Sequence, residues 1–285
     1  MNKKNLLLIL ASISICTPAL ALNFDKEAEQ IATGFKFVEG PLYLKSENAL
    51  IFSDIPASKI YKVDQANNKE VYIDNSQNSN GIAIDKDGKL YACHKRSLSH
   101  IDKDKKINTI ATEFDGKKLN APNDLTIKSN GDIYFTDPNY GLKGDAQELK
   151  FQGIFRISKD SGELTLLNKD LVKPNGITFS PDEKILYVAD HGADKIYSFK
   201  LKEDGTLESP VLFKANVKKP DGMKVDQKGN LFCATRTGVV VFDASGKELG
   251  NIKVSAFPSN CAFSSDYKTL YITAQKSIYK FNIEE

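Results

Sequence analysis

Six side chains that carry a potential oxygen ligand recur along this chain, each opening the same kind of segment. Glu39 opens EGPLYLKSENALIFSD, Asn80 NGIAIDKDGKLYACH, Asn123 NDLTIKSNGDIYFTD, Asn175 NGITFSPDEKILYVAD, Asp221 DGMKVDQKGNLFCAT and Asn260 NCAFSSDYKTLYITA. The openings lie 41, 43, 52, 46 and 39 residues apart, the period of blades stacked around an axis. Rotational pseudo-symmetry then gathers the six openers near one point. Two carboxylates and four amides brought together out of bulk water are costly unless compensated, because the like charges repel. A hard divalent cation resolves the conflict; oxygen-only ligands suit calcium first, with magnesium, manganese or zinc left open. In any one repeat the competing reading is an Asn or Asp that only hydrogen-bonds the preceding connection. Six such positions together, two of them acids, favour the metal.

The elements that must position these residues follow the same repeat. Each opener precedes an apolar-alternating run, a Gly/Asn/Asp turn and a second run of strand formers such as KLYAC, DIYFT or ILYVA. Two more runs follow, for example KIYKVDQ and KEVYIDN in the first repeat and GIFRISK and ELTLLNK in the third. Four antiparallel strands per unit and six units specify an all-β fold, a six-bladed β-propeller. The last repeat has three strands, ending at SIYKFNI, and the segment AEQIATGF, from Ala28 to Phe35, is expected to supply the fourth. Closure by strands from both termini removes an exposed sheet edge. Antiparallel succession puts the end of each second strand on the openers' face, and with it Asp54, His94, Asp137, Asp190, His191 and Arg236. The long loop 138–152 of the third repeat overhangs that face and reads as a lid or binding element.

Bulk features narrow the setting. Lys3 and Lys4, the apolar run from Leu6 to Ile15 and the small-x-small site Ala19-Leu20-Ala21 read as a signal peptide over residues 1–21. The remaining residues, 22–285, read as a single propeller domain, exported to the periplasm or secreted. The apolar run is too short to span a bilayer, so no membrane association is expected after cleavage. Of 39 basic residues the signal holds two, which leaves 37 against 37 acidic ones. Zero net charge argues against general nucleic-acid or anionic-membrane binding and, with sealed edges, suits a monomer. Cys93, Cys233 and Cys261 remain, an odd number with no CxxC pattern. They alternate with Val, Ile and Thr in other repeats and read as buried free thiols, with a Cys233–Cys261 bridge as the alternative. No G-x-S-x-G, H-E-x-x-H or phosphate loop occurs. DKDG at Asp85 lacks the other ligands of a calcium loop and reads as a β-turn.

Several motifs in order carry a resemblance over the whole mature chain: VEGPLY from Val38, APND and GDIYFTDPNYGL between Ala121 and Leu142, KPNGITFSPDEKILYVAD from Lys173, DGMKVDQKGNLF from Asp221 and TLYITA from Thr269. The chain resembles the gluconolactonase/regucalcin family of six-bladed propellers, relatives of the phosphotriesterase and paraoxonase propellers. That resemblance implies metal ligation by Glu39, Asn175 and Asp221, with Asn123 approaching the metal or substrate in the same site. It also implies that Asp221 is the general base or acid of lactone hydrolysis. Asn80 and Asn260 match no family ligand, which reduces the six-membered cage to four. Where animal members carry a substrate-contacting arginine, this chain has Ala121.

Both lines lead to a metal-dependent lactonase acting on a small-molecule lactone. The cation polarises the lactone carbonyl, Asp221 assists the attack of water, and Asn123, Asp137 and His94 are the substrate-binding candidates. Two other functions stay open at this point, because fold alone does not choose a chemistry. One is phosphotriester or aryl-ester hydrolysis in the same oxygen cage. The other is a non-catalytic, calcium-bound propeller whose rim binds a protein or glycan.

Overall fold

The structure, a computed structural model, describes residue 24 and residues 26–142 and 144–283. The expected signal peptide lies outside the described residues. Within them the chain forms six four-stranded antiparallel sheets. The first blade runs outward through Val38–Leu44, Ala49–Asp54, Lys59–Val63 and Lys69–Asp74, each strand pairing with the next. The other innermost strands are Ile82–Ile84, Leu125–Ile127, Pro174–Phe179, Met223–Val225 and Pro258–Phe263. In the sixth blade Pro258–Phe263, Thr269–Ala274 and Ser277–Asn282 are completed by the N-terminal strand Glu29–Thr33, which pairs with Ser277–Asn282. The ring therefore closes with strands from both ends of the chain, as the unpaired N-terminal run implied. One small hairpin, Glu113–Phe114 with Lys117–Lys118, was not foreseen; it sits between the second and third blades.

Why the sheets stand as blades is visible in the core, which is divided among the blade interfaces. Six clusters of buried apolar residues form, one between each neighbouring pair. Phe35, Phe52 and Tyr271 belong to the seam between the sixth and first blades, and Phe135 and Phe155 to that between the second and third. Phe52, Phe135 and Phe155 are fully buried, and each such side chain contributes about 3 kcal/mol relative to an exposed one. Alternation makes this arrangement: each strand offers one face to the preceding blade and one to the next, so both faces must be apolar.

Near the axis, backbone replaces side chain as the packing surface. Four openers are followed by glycine, at Gly40, Gly81, Gly176 and Gly222. A Cβ on Gly176 would stand 2.1 Å from the Asp221 carbonyl oxygen, and one on Gly40, whose φ is +55°, would stand 2.0 Å from that of Asn80. Only glycine lets the innermost strands come this close. Hydroxyls lash the neighbours together: Ser53 Oγ donates to the Asn80 carbonyl at 2.8 Å, and Thr136 Oγ1 to that of Asn175 at 2.6 Å.

Candidate functional site

The openers are aimed by irregularities at the start of each innermost strand. In the first, fourth and sixth blades the ladder slips at the opener, between Glu39 and Leu42, Pro174 and Ile177, and Pro258 and Asn260. Such a bulge re-aims the side chain beside it. In the other three blades the opener sits just before the strand but keeps a ladder bond: Asn80 N–H to Cys93 O at 2.8 Å, Asn123 N–H to Thr136 O at 2.9 Å, Asp221 N–H to Ala234 O at 2.9 Å.

Five of the six openers, Glu39, Asn80, Asn123, Asn175 and Asp221, line one cavity of about 710 Å³ on this face. The sixth, Asn260, is buried beneath it and ties the floor together. Its Nδ2 donates to Glu39 Oε2 at 3.3 Å and to Asp124 Oδ2 at 3.1 Å, while its Oδ1 accepts from the Cys261 N–H at 2.8 Å. Asn175 Nδ2 donates to the Tyr140 hydroxyl at 3.2 Å, which fixes the orientation of that amide. Two floor oxygens, Asn80 Oδ1 and Asp221 Oδ1, are buried without any hydrogen-bond partner. Orphaned acceptors of this kind mark a place built for a cation or a donor.

Charge on the floor is poorly compensated by the protein itself. Burial first, and then the charge of Asp124, push the Glu39 carboxyl well above the usual carboxylate range, against a smaller opposing pull from Lys224. Burial, then Glu39 and Asp124, likewise raise Asp221, although about a fifth of its side chain (20%) remains open to the cavity. Among the described residues no three His, Cys, Asp or Glu side chains gather closely enough to hold a metal alone. A cation here would therefore depend on the amide oxygens beside the two acids, and that all-oxygen donor set fits a hard divalent ion.

Two expected substrate contacts lie elsewhere. Asp137 and His94 do not line the cavity; both are buried, at 0% and 2% exposure. Asp137 Oδ2 accepts the Asn120 N–H at 2.8 Å, while burial drives its carboxyl up to about 7. His94 has no hydrogen bond at either ring nitrogen, and burial lowers its pKa. For Asp137 the reason is a device repeated at the end of the second strand in the first and fourth blades. Asp54 accepts the N–H groups of Lys36 and Phe37 at 2.9 and 3.1 Å, and Asp190 those of Val172 and Lys173 at 2.9 and 2.8 Å. These acids pin the incoming connection and do not face the cavity. The rim expectation holds for His191 and Arg236, which do line it.

Other residues of the site went unrecognised in the sequence. Asp124 is a third buried carboxylate, 2% exposed; its signal was the break from Asn-Gly to Asn-Asp at the third opener. The loop 138–152 contributes Tyr140 and Gly141 to the lining. Burial, then the charge of Asp221, raise the Tyr140 phenol, and its ring meets His191 edge to face at 6.0 Å between centroids. His191 Nδ1 lies 3.2 Å from the Pro220 carbonyl oxygen and 3.9 Å from Asp221 Oδ2. Lys95, Lys219, Phe37 and Phe257 complete much of the wall. All three cysteines are free and buried, and DKDG is a turn, closed by the Gly88 N–H on the Asp85 carbonyl at 3.1 Å.

Known proteins share this architecture. The chain is 32% identical to a gluconolactonase of Zymomonas mobilis over 91% of its length and 82% of the relative's. A gluconolactonase structure from Xanthomonas campestris superposes with a TM-score of 0.84 at 30% identity, covering 90% of this chain and 88% of that one. A calcium-binding regucalcin from Agrobacterium tumefaciens has the same fold, with a TM-score of 0.77 at 19% identity over 93% and 96% of the two chains. Residues 37–276 match the region described as SMP-30/Gluconolactonase/LRE-like. With the propeller, its axial cavity and these relatives in agreement, the chain belongs to the SMP-30/gluconolactonase/LRE-like family.

Proposed function

We propose that this chain is a metal-dependent hydrolase of small lactones, with Glu39, Asn123, Asn175 and Asp221 as the residues that hold the cation. The observation that carries the reading is the floor of the cavity: two acids with strongly raised pKa values, amides beside them, and the unpartnered oxygens of Asn80 and Asp221. Relatives named gluconolactonase and lactonase point to the same substrate class. Calcium is the preferred ion, since a hard cation takes carboxylate and amide oxygens together.

When bound, the cation supplies a Lewis-acidic centre that polarises the ester carbonyl and offsets the charge of the oxyanion. The chain's own residues do the rest. Asp221, about a fifth of whose side chain (20%) stays open to the cavity, would take a proton from the attacking water and pass it to the ring oxygen as the acyl C–O bond breaks. The product is the open hydroxy acid. Asn175, whose Nδ2 is bonded to the Tyr140 hydroxyl, would offer its amide oxygen to the cation. His191, 3.9 Å from Asp221 Oδ2, limits the positions that carboxylate can adopt. The hydrophobic walls at Phe37, Pro122 and Phe257 hold the substrate away from bulk water.

The test is a panel of aldonolactones, aliphatic lactones and paraoxon, assayed with calcium and again with a chelator. Calcium-dependent lactone turnover is expected, with calorimetric calcium affinity at least about tenfold weaker in Glu39→Gln, whose lost charge removes one charge-assisted ligand. Turnover of paraoxon alone would reassign the reaction; calcium binding unchanged by Glu39→Gln would remove the ion from this floor.

A further inference from the structure

A second, smaller cavity of about 160 Å³ adjoins the first, and Arg236, Phe257 and Gln275 belong to both linings. Its volume is about that of five water molecules in the liquid, too little for a lactone ring with its substituents but enough for one polar group at the end of a substrate. Thr237 and Ser255 line it, their hydroxyls bonded to Thr235 Oγ1 at 3.0 Å and to the Tyr279 hydroxyl at 3.1 Å, and among the described residues Arg236 is its one charged residue. No carboxylate faces that guanidinium from within the small cavity. The guanidinium lies over the Phe257 ring, 5.0 Å from the centroid, and the backbone beneath it is anchored by the Arg236 main-chain N–H on the Lys218 carbonyl at 3.0 Å. A guanidinium set over an aromatic ring keeps its N–H groups available to an anion.

The surrounding wall has the same sign. Lys95 and Lys219 line the main cavity, while among the described residues the acids in its lining are Glu39 and Asp221 on the floor. Lys219 is held by Asp194 at 3.0 Å and by the His191 carbonyl at 3.3 Å, so its position beside the mouth is fixed. The cavity thus pairs an acidic floor, suited to a cation and a carbonyl, with a basic wall that ends in a small pocket around one guanidinium. A neutral polyol can accept hydrogen bonds from that wall; an anion accepts stronger, charge-assisted ones.

We propose that the small cavity is a subsite for an anionic substituent, carboxylate or phosphate, carried by the lactone at the end remote from its carbonyl, with Arg236 as the residue that reads it. This rests on the hydrolase reading above for the orientation of the substrate, but not for the existence of the subsite. Specificity for the anion follows from the bidentate geometry of the guanidinium, and the wall lysines draw anions toward the mouth.

The experiment measures binding of product-like acids to the calcium-loaded protein by calorimetry at low salt. Gluconate carries no remote charge; glucarate carries a remote carboxylate and 6-phosphogluconate a remote phosphate. At least one of the latter two is expected to bind roughly tenfold tighter than gluconate, the effect of one charge-assisted pair, and which of them does so identifies the group. Arg236→Gln is expected to abolish the difference, as is 0.5 M salt on the unaltered protein, because the side chain is exposed and screened. Arg236 is on the surface, and a thermal melt of the variant checks its fold. Equal affinity for all three acids, or a preference that survives both Arg236→Gln and salt, overturns the proposal. Lactone turnover is measured on the same samples. Selective binding without turnover leaves the subsite standing and removes the hydrolase, whereas turnover without selectivity removes the subsite alone.

Discussion

Replacing Asp137 by asparagine should make the protein more stable, and only at the higher pH values. Asp137 is fully buried; one oxygen accepts the Asn120 N–H and the other has no partner. Burial raises its pKa from the ordinary 3.8 to about 7, against opposing hydrogen bonds from the backbone at Asn120 and Ala121. The folded protein therefore holds a proton that the unfolded chain has released anywhere between those values, and stability falls as pH rises through that window. About three pH units correspond to about 4 kcal/mol at full ionisation, and relaxation around a buried charge leaves about 2–4 kcal/mol. Asparagine keeps an acceptor for the Asn120 N–H and has no charge to bury, while its amino group costs about 1 kcal/mol at every pH for want of an acceptor. At ~2–4 °C per kcal/mol for a chain of this size, melts followed by circular dichroism should show the variant near or just below wild type at pH 4. By pH 8 it should lie about 5 °C or more above. A difference in melting temperature that stays constant from pH 4 to pH 8 would refute the assignment of a buried, reluctantly ionised carboxylate.

Other consequences can be checked with the same preparations. Gly176→Ala forces a methyl to within 2.1 Å of the Asp221 carbonyl oxygen; a loss of at least about 2 kcal/mol in urea unfolding, together with reduced turnover, is expected because both neighbours of the clash belong to the floor. Asp132 is 3% exposed and receives Arg156 Nη2 at 2.7 Å, Arg156 Nε at 2.9 Å and the Lys159 N–H at 2.9 Å. Burial pushes its carboxyl up, but these bonds, with one from Asn130, outweigh it and hold the pKa low. Asp132→Ala should therefore cost about 3–5 kcal/mol in the same assay, and wild-type stability should decline as pH falls through the carboxylate range. Burial raises the thiols of Cys93 and Cys233 and drives that of Cys261 up to about 12, so a thiol reagent at pH 8 should find all three cysteines only after unfolding.

The ring was legible because its signal is repeated: six openers, six turns and alternating strand formers leave few other ways to bury both faces of every sheet. Closure by Glu29–Thr33 was legible because the last repeat lacked a strand. What could not be read was the direction in which a polar side chain turns at the end of a strand. Asp54, Asp137 and Asp190 occupy the same face as Asp221 and are equally acidic in sequence, yet both oxygens of Asp54 and Asp190 and one of Asp137 are taken by backbone N–H groups of the incoming connection. The distinction depends on whether that connection passes within reach, which no spacing encodes. Asp124 was missed for the opposite reason. Its position after an opener should hold glycine, and the space for its carboxylate exists because Gly81 stands against it, where a Cβ would lie 2.7 Å from Asp124 Oδ1.

That exchange of glycine for aspartate explains how the floor is organised. Asn260 lies beneath the cavity and does not line it, but its one amide group donates to both Glu39 and Asp124. An amide satisfies the hydrogen-bonding capacity of two acids without altering their charge, so the burial and the repulsion that raise Glu39 and Asp221 persist with Asn260 in place. A proton or a positive charge relieves them, and among the described residues no basic side chain reaches the floor strongly enough to supply that charge, Lys224 acting last among the influences on Glu39. Fixing the acids with a neutral donor keeps them in position while leaving their charge unmet, which is the arrangement that gives a divalent cation the largest gain on binding. A lysine at position 260 would neutralise the floor and, for the same reason, weaken its hold on any metal.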